Sequence, residues 1–145
     1  MKKFVFLIAV SAISFLSFAN DPVVSEKVLT AFNKTFQNVK NVNWFENTGS
    51  YEVRFVQNEV RIKVNYDKEG NIINTIRYYS EQHLPIMVLS KIKSKYTGKT
   101  IHSVTELSSE EGTTYYVTLE DEKTWLDLKA DQYGSMTVVK KLKKA

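Results

Sequence analysis

The chain has 145 residues, with 20 Lys and Arg against 16 Asp and Glu for a net charge of +4, and no cysteine. Without cysteine there is no disulfide framework, no thiol nucleophile, no thiolate metal site and no lipid-modified N-terminal cysteine. The positive charge is modest and sits largely at Lys140, Lys141, Lys143 and Lys144; with no basic helix or aromatic RNA-binding motif beside it, the balance argues against nucleic acid as a partner.

The chain starts with Lys2 and Lys3, continues through an apolar and small-residue run from Phe4 to Leu16, and reaches Ser17-Phe18-Ala19. A charged start, an apolar stretch too short to span a bilayer comfortably and small residues at both positions read by a signal peptidase predict a signal peptide over 1–19, cut after Ala19. The polar Asn20 and Asp21 follow at once, which disfavours an uncleaved anchor. The expected location is therefore periplasmic or secreted, and loss of Lys2 and Lys3 lowers the net charge from +4 to +2. The mature part, 20–145, has roughly 125 residues, enough for one domain with a continuous core and no covalent staples.

A first helix is expected from Pro22, placed at the first helical position, with Val24, Val28, Phe32 and Phe36 on one face. Four strands follow at roughly 39–46, 50–56, 60–66 and 72–79, separated by turns at Asn47-Thr48-Gly49, Gln57-Asn58-Glu59 and Asp67-Lys68-Glu69-Gly70. A second helix opens at Pro85, carries Val88, Leu89, Ile92 and Tyr96 on one face, and meets a left-handed Gly98 at its end. Strands at roughly 101–108, 113–119, 124–130 and 136–142 complete the chain. Tyr51, Val53 and Phe55 share one strand face, as do Ile62, Val64 and Tyr66, and that face must meet the helix.

The two halves match. Tyr51-Glu52-Val53-Arg54-Phe55 aligns with Tyr115-Tyr116-Val117-Thr118-Leu119, and the Asp67 to Gly70 turn with Asp131-Gln132-Tyr133-Gly134, both at a spacing of about 64 residues. The helix positions match at a spacing of about 60, the slip falling in loops. The expected fold class is α+β: a tandem repeat of two helix-plus-four-stranded antiparallel sheet units, about 20–82 and 83–145, joined in one long sheet or packed as two layers.

The succession of a short helix ending in an aromatic, Asn41-Val42-Asn43-Trp44, Tyr51-Glu52-Val53-Arg54-Phe55, Tyr66-Asp67-Lys68-Glu69-Gly70 and Leu84-Pro85 resembles the PepSY-like proteins, small exported bacterial proteins similar in fold to the β-lactamase inhibitory protein. The resemblance covers nearly all of the mature chain. It implies a tandem αββββ arrangement and an envelope location, and implies no catalytic residue. In the second half Glu106 stands near the place of Trp44, leaving Trp44 without a counterpart.

Nucleophilic catalysis needs a nucleophile beside an oriented base, and the chain offers only His83, ahead of Leu84-Pro85, and His102, in an expected edge region, neither in a motif. No zinc set forms from adjacent spacings, and the Asp67 and Asp131 turns read as hairpin turns with Asp bonding its own backbone and Gly at positive φ, not as calcium loops. Glu106, Glu110 and Glu111 lack the apolar pocket that a glycosidase pair needs. No enzyme, cofactor or metal is expected.

The outward sheet face carries the binding candidates. With Phe55 taken opposite Val60, Glu52 faces Lys63 and Arg54 faces Arg61; in the second half Trp125 is expected opposite Thr118 and diagonal to Tyr116. Trp125, Tyr116, Thr118, Arg54 and Arg61 are thus the candidate binding residues, aromatics and Arg being the types that dominate interface hot spots. The expected function is a non-catalytic exported envelope protein, a protein-binding or inhibitor-like module for an envelope or secreted protein; the alternative is a periplasmic binder of a small molecule or glycan in a cleft between the units.

Overall fold

A computed structural model describes residues 22–39 and 41–144. The expected signal peptide and its cleavage site lie outside the described residues. In chain order the elements are α1 (Glu26–Thr35), β1 (Asn43–Asn47), β2 (Ser50–Gln57), β3 (Val60–Asp67), β4 (Ile72–Tyr79), a 3-10 turn (Glu81–His83), α2 (Ile86–Lys95), β5 (Thr100–Ser109), β6 (Gly112–Glu120), β7 (Thr124–Asp131) and β8 (Met136–Lys143). The fold is α+β, with all eight strands in a single antiparallel sheet in the order β1 to β8. The strands thus lie in one long sheet and not in two packed layers.

The cross-strand register decides which residues share a face, because directly opposed side chains project to the same side. Val53 faces Val64, Tyr79 faces Val104, Val104 faces Val117 and Val117 faces Leu128. All are buried. Val28 and Phe32 of α1 pack with Val53, Phe55, Val64 and Tyr66, while Val88 and Ile92 of α2 pack with Val104, Val117, Leu119 and Leu128. Both helices therefore cover the same face. Ile62 touches both clusters and joins them into one layer. Trp44 and Phe32 fall in the first core, and Tyr96 and Leu119 in the second, as the helical and strand periodicities require.

Several local expectations are corrected. Pro22 is not the first helical position: α1 begins at Glu26, and Ser25 caps it by accepting a bond from the Val28 amide at 3.4 Å. A hydroxyl acceptor satisfies an amide that proline only avoids exposing, so Ser25 takes the start of the helix. Pro85 is itself the N-terminal cap residue of α2. Gly98 is left-handed as expected, with φ +83°. The first strand is shorter than 39–46, because Asn38 and Asn41 adopt positive φ and break the extended chain before Asn43.

Both hairpin registers shift by two residues. The β2–β3 turn holds only Asn58 and Glu59, at φ 50° and 65°, so Gln57 faces Val60 and Phe55 faces Ile62, not Val60. Two consecutive left-handed residues make the tight turn whose twist suits a hairpin. Arg54 consequently faces Lys63 rather than Arg61, and Glu52 faces Asn65 rather than Lys63. In the β6–β7 hairpin Trp125 faces Glu120 rather than Thr118, Thr118 faces Asp127 and Tyr116 faces Lys129.

The two Asp-Gly turns close as expected. Asp67 accepts the amides of Glu69 at 2.8 Å and Asn71 at 2.9 Å, and Asp131 those of Tyr133 and Ser135, both at 2.9 Å. Gly70, at φ +90°, also lies so close to α1 that a Cβ would meet the Lys27 carbonyl at 3.0 Å, so the turn needs glycine for its conformation and for its clearance.

Candidate functional site

The face opposite the helices carries no element of the described chain. Its side chains form cross-strand rows. One row runs Val56, Arg61, Tyr78, Thr105, Tyr116 and Lys129, each directly opposite the next. The adjacent row runs Arg54, Lys63, Ile76, Leu107 and Thr114. Over β1 to β4 these rows border a depression of about 630 Å³ lined by Asn41, Asn43, Arg54, Arg61, Lys63 and Tyr78, among others.

Its electrostatics centre on Glu52. This carboxylate is only 7 % exposed; it accepts bonds from Arg54 at 2.5 Å and Lys63 at 2.6 Å. Burial pushes its pKa up, yet the bonds and charges of Lys63 and Arg54 outweigh burial and leave it below the usual carboxylate value. The Arg54 guanidinium also lies 4.4 Å from the centre of the Phe45 ring. Arg61 has a different setting. Its guanidinium rests 5.5 Å from the Tyr78 ring centre, and no carboxylate of the described residues lies within ion-pair distance. Two of the three cations thus share Glu52, while Arg61 borders Glu59 in a neighbouring depression without pairing to it.

The five candidate residues all project to this helix-free face, but they do not form one cluster. Arg54 and Arg61 meet at the depression. Tyr116, 41 % exposed, continues the Arg61 row toward the second half. Thr118 donates to Asp127 at 2.8 Å. Trp125 stands apart from Tyr116, half-buried, with the His102 ring 4.8 Å from its own and the Lys144 ammonium 4.3 Å above it. Glu120 ties that corner together by accepting from Lys144 at 2.6 Å and pairing with His102 at 3.1 Å. His102 lies in an edge region as expected: the pairing of β5 with β4 begins only at Val104, so His102, at a bulge between Ile101 and Ser103, has β6 alone beside it. Residues of the same chain therefore contact Trp125 from two directions.

Lys63 and Tyr78 were not singled out by sequence reasoning. Period-two alternation places Lys63 beside Arg61, so the signal was present; the misplaced hairpin register paired Lys63 with Glu52 and hid its place opposite Arg54. Glu106 was also misplaced. Trp44 faces Val53 and Val104 faces Val117, so Val104 takes the place equivalent to Trp44, while Glu106 faces Tyr115 as Glu46 faces Tyr51. Glu46 is exposed on an edge strand, whereas Glu106 is buried because β4 lies beside it. There it accepts from Tyr79 at 2.5 Å and from Arg77 at 3.1 Å. Burial first, then the bond to Glu106, drives the Tyr79 hydroxyl far above its ordinary pKa, so it remains a donor.

No group of three or more His, Asp or Glu able to hold a metal ion occurs among the described residues. No helix among them is long and apolar enough to cross a membrane.

The fold is of a known class, that of BLIP-like proteins. A BLIP-like protein from Bacteroides fragilis superposes with a TM-score of 0.63 at 22 % identity, over 83 % of this chain and 88 % of that one. A protein of the DUF2874 family from Bacteroides uniformis gives 0.61 at 16 % identity over 82 % and 88 %, and a candidate periplasmic protein from Bacteroides eggerthii gives 0.62 at 12 % identity over 84 % and 90 %. At these identities the likeness is one of fold. No family model matches the chain, and no curated protein matches it.

Proposed function

We propose that this chain is an exported, non-catalytic module that binds another protein through the helix-free face of its sheet. The observation that carries the reading is the face itself: eight strands wide, free of any covering element of the described chain, and set with Arg54, Arg61, Tyr78 and Tyr116. Arg and Tyr are the side chains most often found as hot spots, and a row of them across a sheet gives a partner rigid contact area. The motifs resembling PepSY-like proteins and the BLIP-like and candidate periplasmic structural neighbours support an inhibitor-like binding role in the envelope. The order helix, four strands, helix, four strands supports reading the halves as two copies of one unit. Trp125 and Thr118 belong to this proposed surface at its β7 end.

The small-molecule alternative required a cleft between the units. On the helix side the middle of that seam is filled by Ile62, Arg77 and Glu106, which face one another in a row, and what is left at its two ends is open depressions rather than an enclosed cleft, so the protein-binding reading is preferred. The test is a photo-crosslinker placed in turn at Tyr116 and at Lys93, on the outer side of α2, in cells expressing the full chain. Crosslinked protein is expected from Tyr116 and not from Lys93. Equal crosslinking from both positions, or from Lys93 alone, overturns the assignment of the face. The same preparation checks export: mass spectrometry of envelope protein is expected to find Asn20 at the N-terminus.

A further inference from the structure

We propose that the depression beside Arg61 receives a carboxylate side chain from an acidic segment of the protein partner; this rests on the reading of the helix-free face as a protein-binding surface. Of the three cations at the depression, Arg54 and Lys63 share Glu52 at 2.5 and 2.6 Å. Arg61 has no such counter-charge within the described residues and is held instead against Tyr78. With no carboxylate paired to it, the Arg61 guanidinium keeps its N–H donors, a planar fork that a carboxylate accepts in bidentate fashion, for an incoming anion. The Glu52 pairing fixes the other two cations around the same depression, so an incoming anion meets positive potential that is already organised.

The surroundings select a side chain on a polypeptide over a free anion. The depression lies on a sheet face and not in an enclosed cavity, and an exposed ion pair in water contributes little. Tyr78 and Tyr116 extend the Arg61 row as ring surface, and a partner that covers those rings removes water from the guanidinium and strengthens the pair. The opposite end of the face carries Glu110 and Glu111 beside Ile72 and Leu107. A partner segment whose acidic end lies at Arg61 and whose apolar or basic end reaches that margin matches the charge separation of the face, and a small symmetric anion uses only half of it.

The probe is a synthetic Glu- and Tyr-rich peptide, titrated into the isotope-labelled mature chain and followed by the amide and Arg Nε–H signals. A peptide with Gln for Glu and inorganic phosphate at matched ionic strength serve as comparisons. Arg61 and Tyr78 are expected to shift saturably with the acidic peptide, more weakly as salt rises, and Arg61→Gln to weaken binding about tenfold or more while leaving the remaining spectrum in place. Three results overturn the proposal: shifts confined to the lysines of β8 and Lys144, equal binding by Arg61→Gln, or phosphate binding as tightly at the same signals. Crosslinking from Tyr116 separates this inference from the one beneath it. Undiminished crosslinks in the Arg61→Gln chain sink the carboxylate subsite and leave the protein-binding face standing, whereas absence of crosslinks in the unaltered chain removes both.

Discussion

Truncating Phe32 to Ala tests whether the first half owes its place to the aromatic cluster under α1. Phe32 is 5 % exposed, and its ring lies 5.3 Å from Trp44, 5.4 Å from Phe36 and 5.5 Å from Phe55. Truncation removes roughly 150 Å² of apolar area from the core. At about 25 cal/mol per Å² that is about 4 kcal/mol, within the range of about 3–5 kcal/mol seen for buried Phe truncations that leave a cavity. For a domain of this size the thermal midpoint should fall by roughly 12–20 °C. The assay is urea denaturation of the mature chain, read by circular dichroism and, in a Trp125→Phe background, by the fluorescence of Trp44, which lies beside the truncated ring. The two probes should give one shared midpoint, because Ile62 packs against both cores. A loss below about 0.5 kcal/mol would place Phe32 outside the core; separate midpoints would mean that Ile62 does not couple the halves.

Removing the Tyr79 hydroxyl with Tyr79→Phe takes away a charge-assisted bond to the buried Glu106 and is expected to cost about 1.5–3 kcal/mol by the same denaturation assay; a neutral result would mean that Arg77 alone satisfies the carboxylate. Glu59 occupies a left-handed turn position at φ 65°, so Glu59→Gly is expected to stabilise by about 0.5–1 kcal/mol, and a loss of that size would refute the turn assignment. Acid should destabilise the fold. Asp121, through its bond to Lys99 and the Lys123 amide, Asp67, through Asn71, and Asp131, through the Ser135 amide, have folded pKa values below their ordinary ones. Their contribution is present above the unfolded values near about 4 and is lost as pH falls through the lower folded values. Thermal midpoints should therefore drop below about pH 4, and a midpoint unchanged from about pH 5 to pH 2 would contradict these bonds.

The helix face was legible because burial leaves a periodic signature. Val28 and Phe32, Val88 and Ile92, and the alternation of Tyr51, Val53 and Phe55 all reduce to the demand that apolar side chains meet in one layer. The register of the hairpins was not legible at the same precision. A shift by two residues keeps every side chain on its proper face, so the hydrophobic pattern is indifferent to it; the choice was made by Asn58 and Glu59, whose tolerance of positive φ is weak in Glu and easily missed. The site depends on register more than on face, which is why Arg54 and Arg61 were identified while Lys63 and Tyr78 were not.

Side chains that are 64 residues apart occupy matching positions in the β2–β3 and β6–β7 hairpins, since Val56 faces Arg61 as Glu120 faces Trp125. On the helix side these positions keep their character: Tyr51 and Tyr115, Val53 and Val117, and Val64 and Leu128 are all buried and all fill the core. On the other face the matches are Glu52 with Tyr116, Arg54 with Thr118, Arg61 with Trp125 and Lys63 with Asp127, and charge, size and polarity all change. Packing against a helix restricts the first set, because a methylene more or less is felt in a close-packed core. Solvent imposes no such restriction on the second. Two hairpins of like backbone therefore present unlike surfaces, one cationic and one neutral to acidic with an aromatic at its margin. A partner laid across both meets a surface without internal symmetry, so it has one favoured orientation, and the ion pair proposed at Arg61 would fix which end of the partner lies over β1 to β4.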